Sequence, residues 1–202
     1  MKNQVVLVGG NFRGGTSVVT RLIVAAGYRL PGSFGKNYED LRLQRELRQV
    51  KKPSRQKLKK LFEQNNSEYP NWVAKYPAIF LHFKTMLPLL DKPKVVLIIR
   101  DPLAVAQSEK RNQQKKELEK VLERPAIYNQ KMIQAYKKYG SKYSFLLLSY
   151  EKLITKPLET CTALCAFINK GKPDEVVRLI THRETTPWPV EANLSPVNKS
   201  PA

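Results

Sequence analysis

Gln4-Val5-Val6-Leu7-Val8-Gly9-Gly10-Asn11-Phe12-Arg13-Gly14-Gly15-Thr16-Ser17 sets the architecture of the chain. Val5 to Val8 is a short apolar run rich in β-branched residues, the pattern of a parallel strand buried on both faces. Two glycines close it. From Thr16 to Ala26 the spacing turns helical, with Val18, Leu22, Ile23 and Ala26 on one side and Gly27 as the stop. Strand, glycine-rich turn and helix in that order open a phosphate-binding α/β unit.

The turn itself carries chemistry. Backbone N–H groups of such a loop converge on a concavity, and the dipole of the following helix adds to its pull on an anion. Gly10 to Ser17 has the spacing G-x-x-x-x-G-K-[ST] except that Thr16 stands at the lysine position. That lysine reaches the outer phosphates of ATP, so its loss argues against ATP hydrolysis and against an ordinary kinase. Arg13, in the middle of the loop, is the cation that remains.

Working outward, Asn71–Lys75, Val95–Ile99 and Ser144–Ser149 read as further strands. Helical patterns fall over 102–122, over 125–139 with Pro125 as its start, over Pro157–Ile168 and over Pro173–Ile180. Alternating strands and helices predict a three-layer α/β fold, a P-loop-type parallel sheet flanked by helices. Residues 1–188 read as one domain, and 189–202, with its Pro, Asn and Ser, as an extended or disordered tail. A small basic helical insertion is expected at about 38–66. Between 42 and 60 it carries Arg42, Arg45, Arg48, Lys51, Lys52, Arg55, Lys57, Lys59 and Lys60 against Glu46 alone. Leu41, Leu47, Leu58, Leu61 and Phe62 supply a thin apolar stripe, which predicts two short helices forming an insertion or flap.

Apolar residues make up 42% of the 202 and charged residues 26%, which excludes a wholly disordered chain. The anomaly is a formal net charge of +19, from 36 Lys and Arg against 17 Asp and Glu. Such an excess implies anionic partners without naming them. Cys161 and Cys165, four apart in an apolar helix, read as buried thiols, and no Cys/His spacing suggests a metal site. No apolar run approaches the length of a membrane span, and no signal-peptide core follows the N-terminus, so a cytoplasmic location is expected.

A second motif stands at the end of the strand Val95–Ile99. Arg100-Asp101-Pro102 lies where open α/β sheets bind ligands, and Ser108 follows two helical turns later. Arg at a strand end and Ser on the next helix together suit a second phosphate.

With both motifs in hand, the chain resembles the P-loop sulfotransferases that use 3′-phosphoadenosine 5′-phosphosulfate (PAPS). Phe12-Arg13-Gly14-Gly15-Thr16-Ser17 is similar to that family's P-R-x-G-T-[ST]-like loop, with Phe12 and Gly14 where Pro and Ser are frequent. Val95 to Ser108 matches its R-D-P strand motif without a gap. Lys75-Tyr76-Pro77 looks like its K-x-P element, and Ser149-Tyr150-Glu151-Lys152-Leu153 with Pro157 like its Y-E-D-L…P segment. The likeness spans roughly residues 4–170. The usual aromatic, glycine-rich segment near the C-terminus is not evident, and His182-Arg183 with Trp188 is the local candidate for it.

The resemblance implies sulfuryl transfer from PAPS, leaving 3′-phosphoadenosine 5′-phosphate, to a hydroxyl or amine of a small molecule, glycan or peptide. It implies that Asn11, Phe12, Arg13, Gly14, Gly15, Thr16 and Ser17 bind the 5′-phosphosulfate, and that Arg100 and Ser108 bind the 3′-phosphate. Arg13 would also serve the chemistry, and Lys75 would support the leaving group or the acceptor. For the general base, Glu39, Asp40 and His82 stay open. Asp40 also suits a helix cap, and His82, between Leu81 and Phe83, also suits a packed core position. The scheme requires no metal. The basic insertion fits an anionic acceptor as well as a solvated face, and no nucleic-acid partner is expected. Two alternatives remain: a divergent P-loop kinase, and a non-catalytic basic protein that binds nucleotide or nucleic acid.

Overall fold

A computed structural model of the chain describes residues 3–32, 34, 37–48, 53–112 and 118–181. The strands β1 (Gln4–Gly10), β2 (Asn71–Lys75), β3 (Lys94–Ile99) and β4 (Ser144–Ser149) form one parallel sheet in the order β2-β1-β3-β4. The chain between them forms α1 (Thr16–Ala25), α2 (Leu41–Arg48), α3 (Arg55–Glu68) and α4 (Phe83–Met86), with a 3₁₀ helix over Pro77–His82. Beyond β3 come α5 (Pro102–Asn112) and α6 (Leu118–Tyr139), and beyond β4 come α7 (Tyr150–Thr155), α8 (Pro157–Ile168) and α9 (Pro173–Thr181).

Side chains alternate across a strand, so an unbroken apolar run needs cover on both faces. Val5, Leu7, Val95 and Leu97 enter one core, closed by α2, α3, the 3₁₀ helix, α4 and α6. Val6, Val8, Val96 and Ile98 enter the other, closed by α1, α8 and α9. Cys161 and Cys165 are free thiols buried in this second core. Burial, with Cys165 as a lesser cause, pushes the Cys161 thiol up to about 11. The architecture is therefore a three-layer α/β fold. No helix among the described residues is long and apolar enough to cross a membrane.

The packing refines the sequence reading at several places. The two short helices expected in the basic stretch are α2 and α3, and they pack onto the body of the molecule: Leu43, Leu47, Leu58, Leu61 and Phe62 are buried in the main core, with the Phe62 ring 5.9 Å from that of Trp72. Leu41, expected in the apolar stripe, is 40% exposed, and Leu43 takes its place. The phase is set by Asp40, whose Oδ1 accepts from the Arg42 and Leu43 amides at 2.9 and 3.2 Å. Starting the helix there turns Leu43 and Leu47, four apart, inward.

Pro125 does not start a helix; it lies inside α6. A proline there removes one intrahelical hydrogen bond and costs about 3 kcal/mol. Packing offsets this, since Val121, Met132 and Ala135 on the same helix are buried. The pattern read as one helix over 102–122 belongs to α5, ending at Asn112, and to the start of α6. The expected tail at 189–202, with His182, Arg183 and Trp188, lies outside the described residues.

Strand order places the chain's reversal between β1 and β3, because β1 connects to β2 on one side and β3 lies on the other. In open α/β sheets the crevice at the carboxyl ends of such strands is where ligands sit.

Candidate active site

The loop after β1 turns on two left-handed residues, Arg13 with φ 62° and Gly15 with φ 95°. Gly15 has a second reason to be glycine: a Cβ would stand 2.3 Å from the Tyr150 ring. A Cβ on Gly14 would stand 2.8 Å from the Asn11 carbonyl, which instead accepts from the Gly14 amide at 2.9 Å. Helix α1 then begins at Thr16 with no side-chain cap and no acid in its first turn. Its first amides have no carbonyl of their own helix to bond, which is the arrangement that attracts an anion.

Across the crevice, Arg100 at the end of β3 donates from Nη1 to the Arg13 carbonyl at 2.8 Å. Its guanidinium lies on the Tyr150 ring, 4.2 Å from the centroid. The Arg100 Nε is shielded from solvent and has no hydrogen-bond partner among the described residues. Arg13 Nε donates to Ser108 Oγ at 3.4 Å, with Ser108 buried on α5. Beneath them, Glu151 accepts from the Asp101 amide and from Ser149 Oγ, each at 2.9 Å. Burial acts to raise the Glu151 carboxyl, but these bonds and the nearby Arg100 charge hold it below its usual range. Asp101 Oδ1 caps α5 by accepting from the Ala104 amide at 2.7 Å.

Asn129, on α6, ties the loop after β1 to the end of β3. Its Oδ1 accepts from Asn11 Nδ2 at 2.7 Å, while its Nδ2 donates to the Arg100 carbonyl at 3.0 Å. Asn11 Nδ2 also reaches the Pro125 carbonyl at 3.3 Å. Nothing in the sequence singles out this mid-helix asparagine. Tyr150 and Glu151 had a visible signal, since they follow β4 at the same edge of the sheet.

On the other side of the loop, Lys75 closes β2 and is 1% exposed. Its Nζ donates to Ser17 Oγ at 3.2 Å, to the Asn37 carbonyl at 2.8 Å and to Glu39 Oε1 at 3.2 Å. Burial lowers the Lys75 pKa, and the Glu39 charge opposes that shift. Gln44 donates to the second Glu39 oxygen. Glu39, Lys75 and Ser17 thus form one connected group. Asp40 is committed to the α2 amides, and burial pushes its carboxyl up.

His82 stands apart from that group. Its ring is 6.4 Å from the Tyr76 ring, and burial lowers its pKa. Phe12 packs against Tyr76 at 6.3 Å and Tyr128 at 6.4 Å, with Arg124 over its face at 5.5 Å. Among the described residues no group of three or more His, Cys, Asp or Glu is placed to hold a metal.

Comparison with known proteins bears on the family and the fold. A family model described as "Sulfotransferase family" matches residues 36–171, well over half of the chain, a span that starts after the phosphate loop. The sulfotransferase domain of the olefin synthase from Synechococcus PCC 7002 superposes with a TM-score of 0.61 at 16% identity, covering 97% of this chain and 82% of that one. The sulfotransferase domain from the curacin biosynthetic pathway gives 0.56 at 18%, covering 87% and 77%. Mouse sulfotransferase SULT7A1, complexed with PAP, gives 0.51 at 12%, covering 89% and 65%. No curated protein sequence matches this chain. The match over residues 36–171 places the chain in the sulfotransferase family.

Proposed function

We propose that the chain transfers a sulfuryl group from PAPS to a hydroxyl or amine on an anionic acceptor. The observation that carries this reading is Arg100: its Nε lacks a partner among the described residues while its Nη1 is tied to the Arg13 carbonyl. A half-buried guanidinium with a shielded, idle Nε–H suits a bound phosphate, because charge-assisted bonds to phosphate are strong and directional. Arg100 and Ser108 would hold the 3′-phosphate, and Arg13 with the amides from Gly14 to Ser17 the 5′-phosphosulfate. SULT7A1 and two retinol dehydratase structures are described as complexes with PAP, which adds support for that donor.

When bound, the donor supplies an activated sulfuryl group, and transfer is governed by position and electrostatics, as in phosphoryl transfer. Lys75 brings a buried cation between the loop residue Ser17 and Glu39, where negative charge spreads during transfer. Glu39 takes the acceptor proton, since Asp40 is occupied as a cap and His82 lies outside the connected group. Arg45 and Arg48 stay exposed on the helix that follows Glu39, which favours an anionic acceptor.

Calorimetric titration with 3′-phosphoadenosine 5′-phosphate, ADP and ATP, with and without magnesium, tests the donor. The 3′-phosphorylated nucleotide should bind without magnesium, and ADP about tenfold or more weaker, as expected for lost bonds to a charged group. Arg100→Ala should erase that difference. Preference for ATP with magnesium overturns the reading in favour of a kinase.

A further inference from the structure

At the opposite end of the sheet, where β3 and β4 begin, lies a basin of about 580 Å³ with Lys92, Tyr136, Lys142, Tyr143, Phe145 and Phe167 in its walls. The six residues of β3 separate it from the Arg100 end by roughly 20 Å, at about 3.3 Å per residue. It is therefore no part of the crevice described above. The segment entering it reads Tyr136-Lys137-Lys138-Tyr139-Gly140-Ser141-Lys142-Tyr143, aromatic and cationic side chains interleaved without an acid.

These lysines lie on rings rather than on carboxylates. Lys138 stands 5.6 Å over Tyr139, Lys142 5.7 Å over Tyr143 and Lys94 5.8 Å over Phe167. The Lys94 ammonium is shielded and has no hydrogen-bond partner among the described residues. Tyr136 is 41% exposed, and Phe145 braces its ring edge-to-face at 5.9 Å. Lys92 is held with φ 44°, a conformation a lysine seldom adopts. The one acid beside it in sequence, Asp91, is exposed.

Against the sequence expectation of no nucleic-acid partner, we propose that this basin is a second anion site, which takes a nucleotide unit of single-stranded nucleic acid. Its phosphate meets Lys92 and Lys142, and its base stacks on Tyr136. Cations that track phosphates beside a rigid, open aromatic face are what sequence-tolerant single-strand binding requires. The cavity is of a size that holds a small ligand.

The test is fluorescence anisotropy of a labelled twelve-residue oligothymidylate across a salt series, on the 202-residue chain with 3′-phosphoadenosine 5′-phosphate present to occupy the phosphate loop. Tyr136→Ala should weaken binding about fivefold or more, the effect of a lost base stack. Lys92→Gln with Lys142→Gln should lower the slope of log K against log salt by about 1.4, or about 0.7 for each lost phosphate contact on a single strand. Lys57→Gln with Lys59→Gln, exposed side chains on α3, should leave the Tyr136 effect intact. Thermal melts of each variant separate lost binding from lost folding. AMP that saturates the basin as tightly as the oligonucleotide, with the same Tyr136 dependence, supports the chemistry and makes a free nucleotide its source. Inorganic phosphate binding as tightly as AMP, or oligonucleotide binding insensitive to Tyr136 and Lys142, overturns the proposal.

Discussion

Glu39 and Lys75 are nearly buried together, and their roles separate on substitution. Glu39→Gln keeps the shape and a hydrogen-bonding group but removes the proton acceptor, so kcat should fall by about 10²–10⁴ while nucleotide binding holds. Steady-state rates beside calorimetry measure this, and a near-normal rate would move the base elsewhere. His82→Gln is the contrast, with a rate close to that of the parent. Its signature lies in stability. Burial lowers the His82 pKa below 6.5, so near that pH the unfolded chain binds more protons than the folded one. Stability contributed by neutral His82 is present above pH 6.5 and is lost as pH falls through its depressed pKa. Urea unfolding between pH 5 and 7 should therefore show a flatter pH dependence for His82→Gln than for the parent.

At the scale of elements, α2 shows how a cap fixes a site. Asp40 starts the helix, which turns Leu43 and Leu47 inward and leaves the neighbouring Glu39 facing Lys75. Asp40→Ala should cost about 1 kcal/mol, the ordinary loss of an N-cap, and Asp40→Asn should restore most of it. Chemical denaturation measures both, and equal stability of the two variants would remove the cap from the account. Activity should follow the same order, because the Glu39 carboxylate is held in part by Gln44 on this helix.

For the whole molecule, the donor crevice joins parts far apart in the chain: the loop after β1, the ends of β3 and β4, α5 and α6. A ligand bridging them stabilises them together. At about a hundredfold its Kd, 3′-phosphoadenosine 5′-phosphate should add about 2.7 kcal/mol, which raises Tm by about 5–10 °C for a chain of this size. Differential scanning fluorimetry measures the shift, and Arg100→Ala should abolish most of it. A shift equal for ADP would mean that the 3′-phosphate is not being read.

How far the sequence alone reached depends on the range of the interaction. The unbroken apolar runs of β1 and β3 demanded cover on both faces, and Gly10 to Ser17 announced a tight turn from strand into helix, because strand burial and turn conformation are local properties. The positions of Arg100, Asp101 and Ser108, at a strand end and on the helix it starts, were legible for the same reason. Tertiary structure alone decided the rest. Pro125 lies inside α6 because the burial of distant side chains outweighs a local preference. Asn129 reaches both Asn11 and the Arg100 carbonyl, and Lys75 meets Glu39, only once separate elements have packed. Pairings across many residues leave no period or motif in the chain, since they depend on where two elements come to rest.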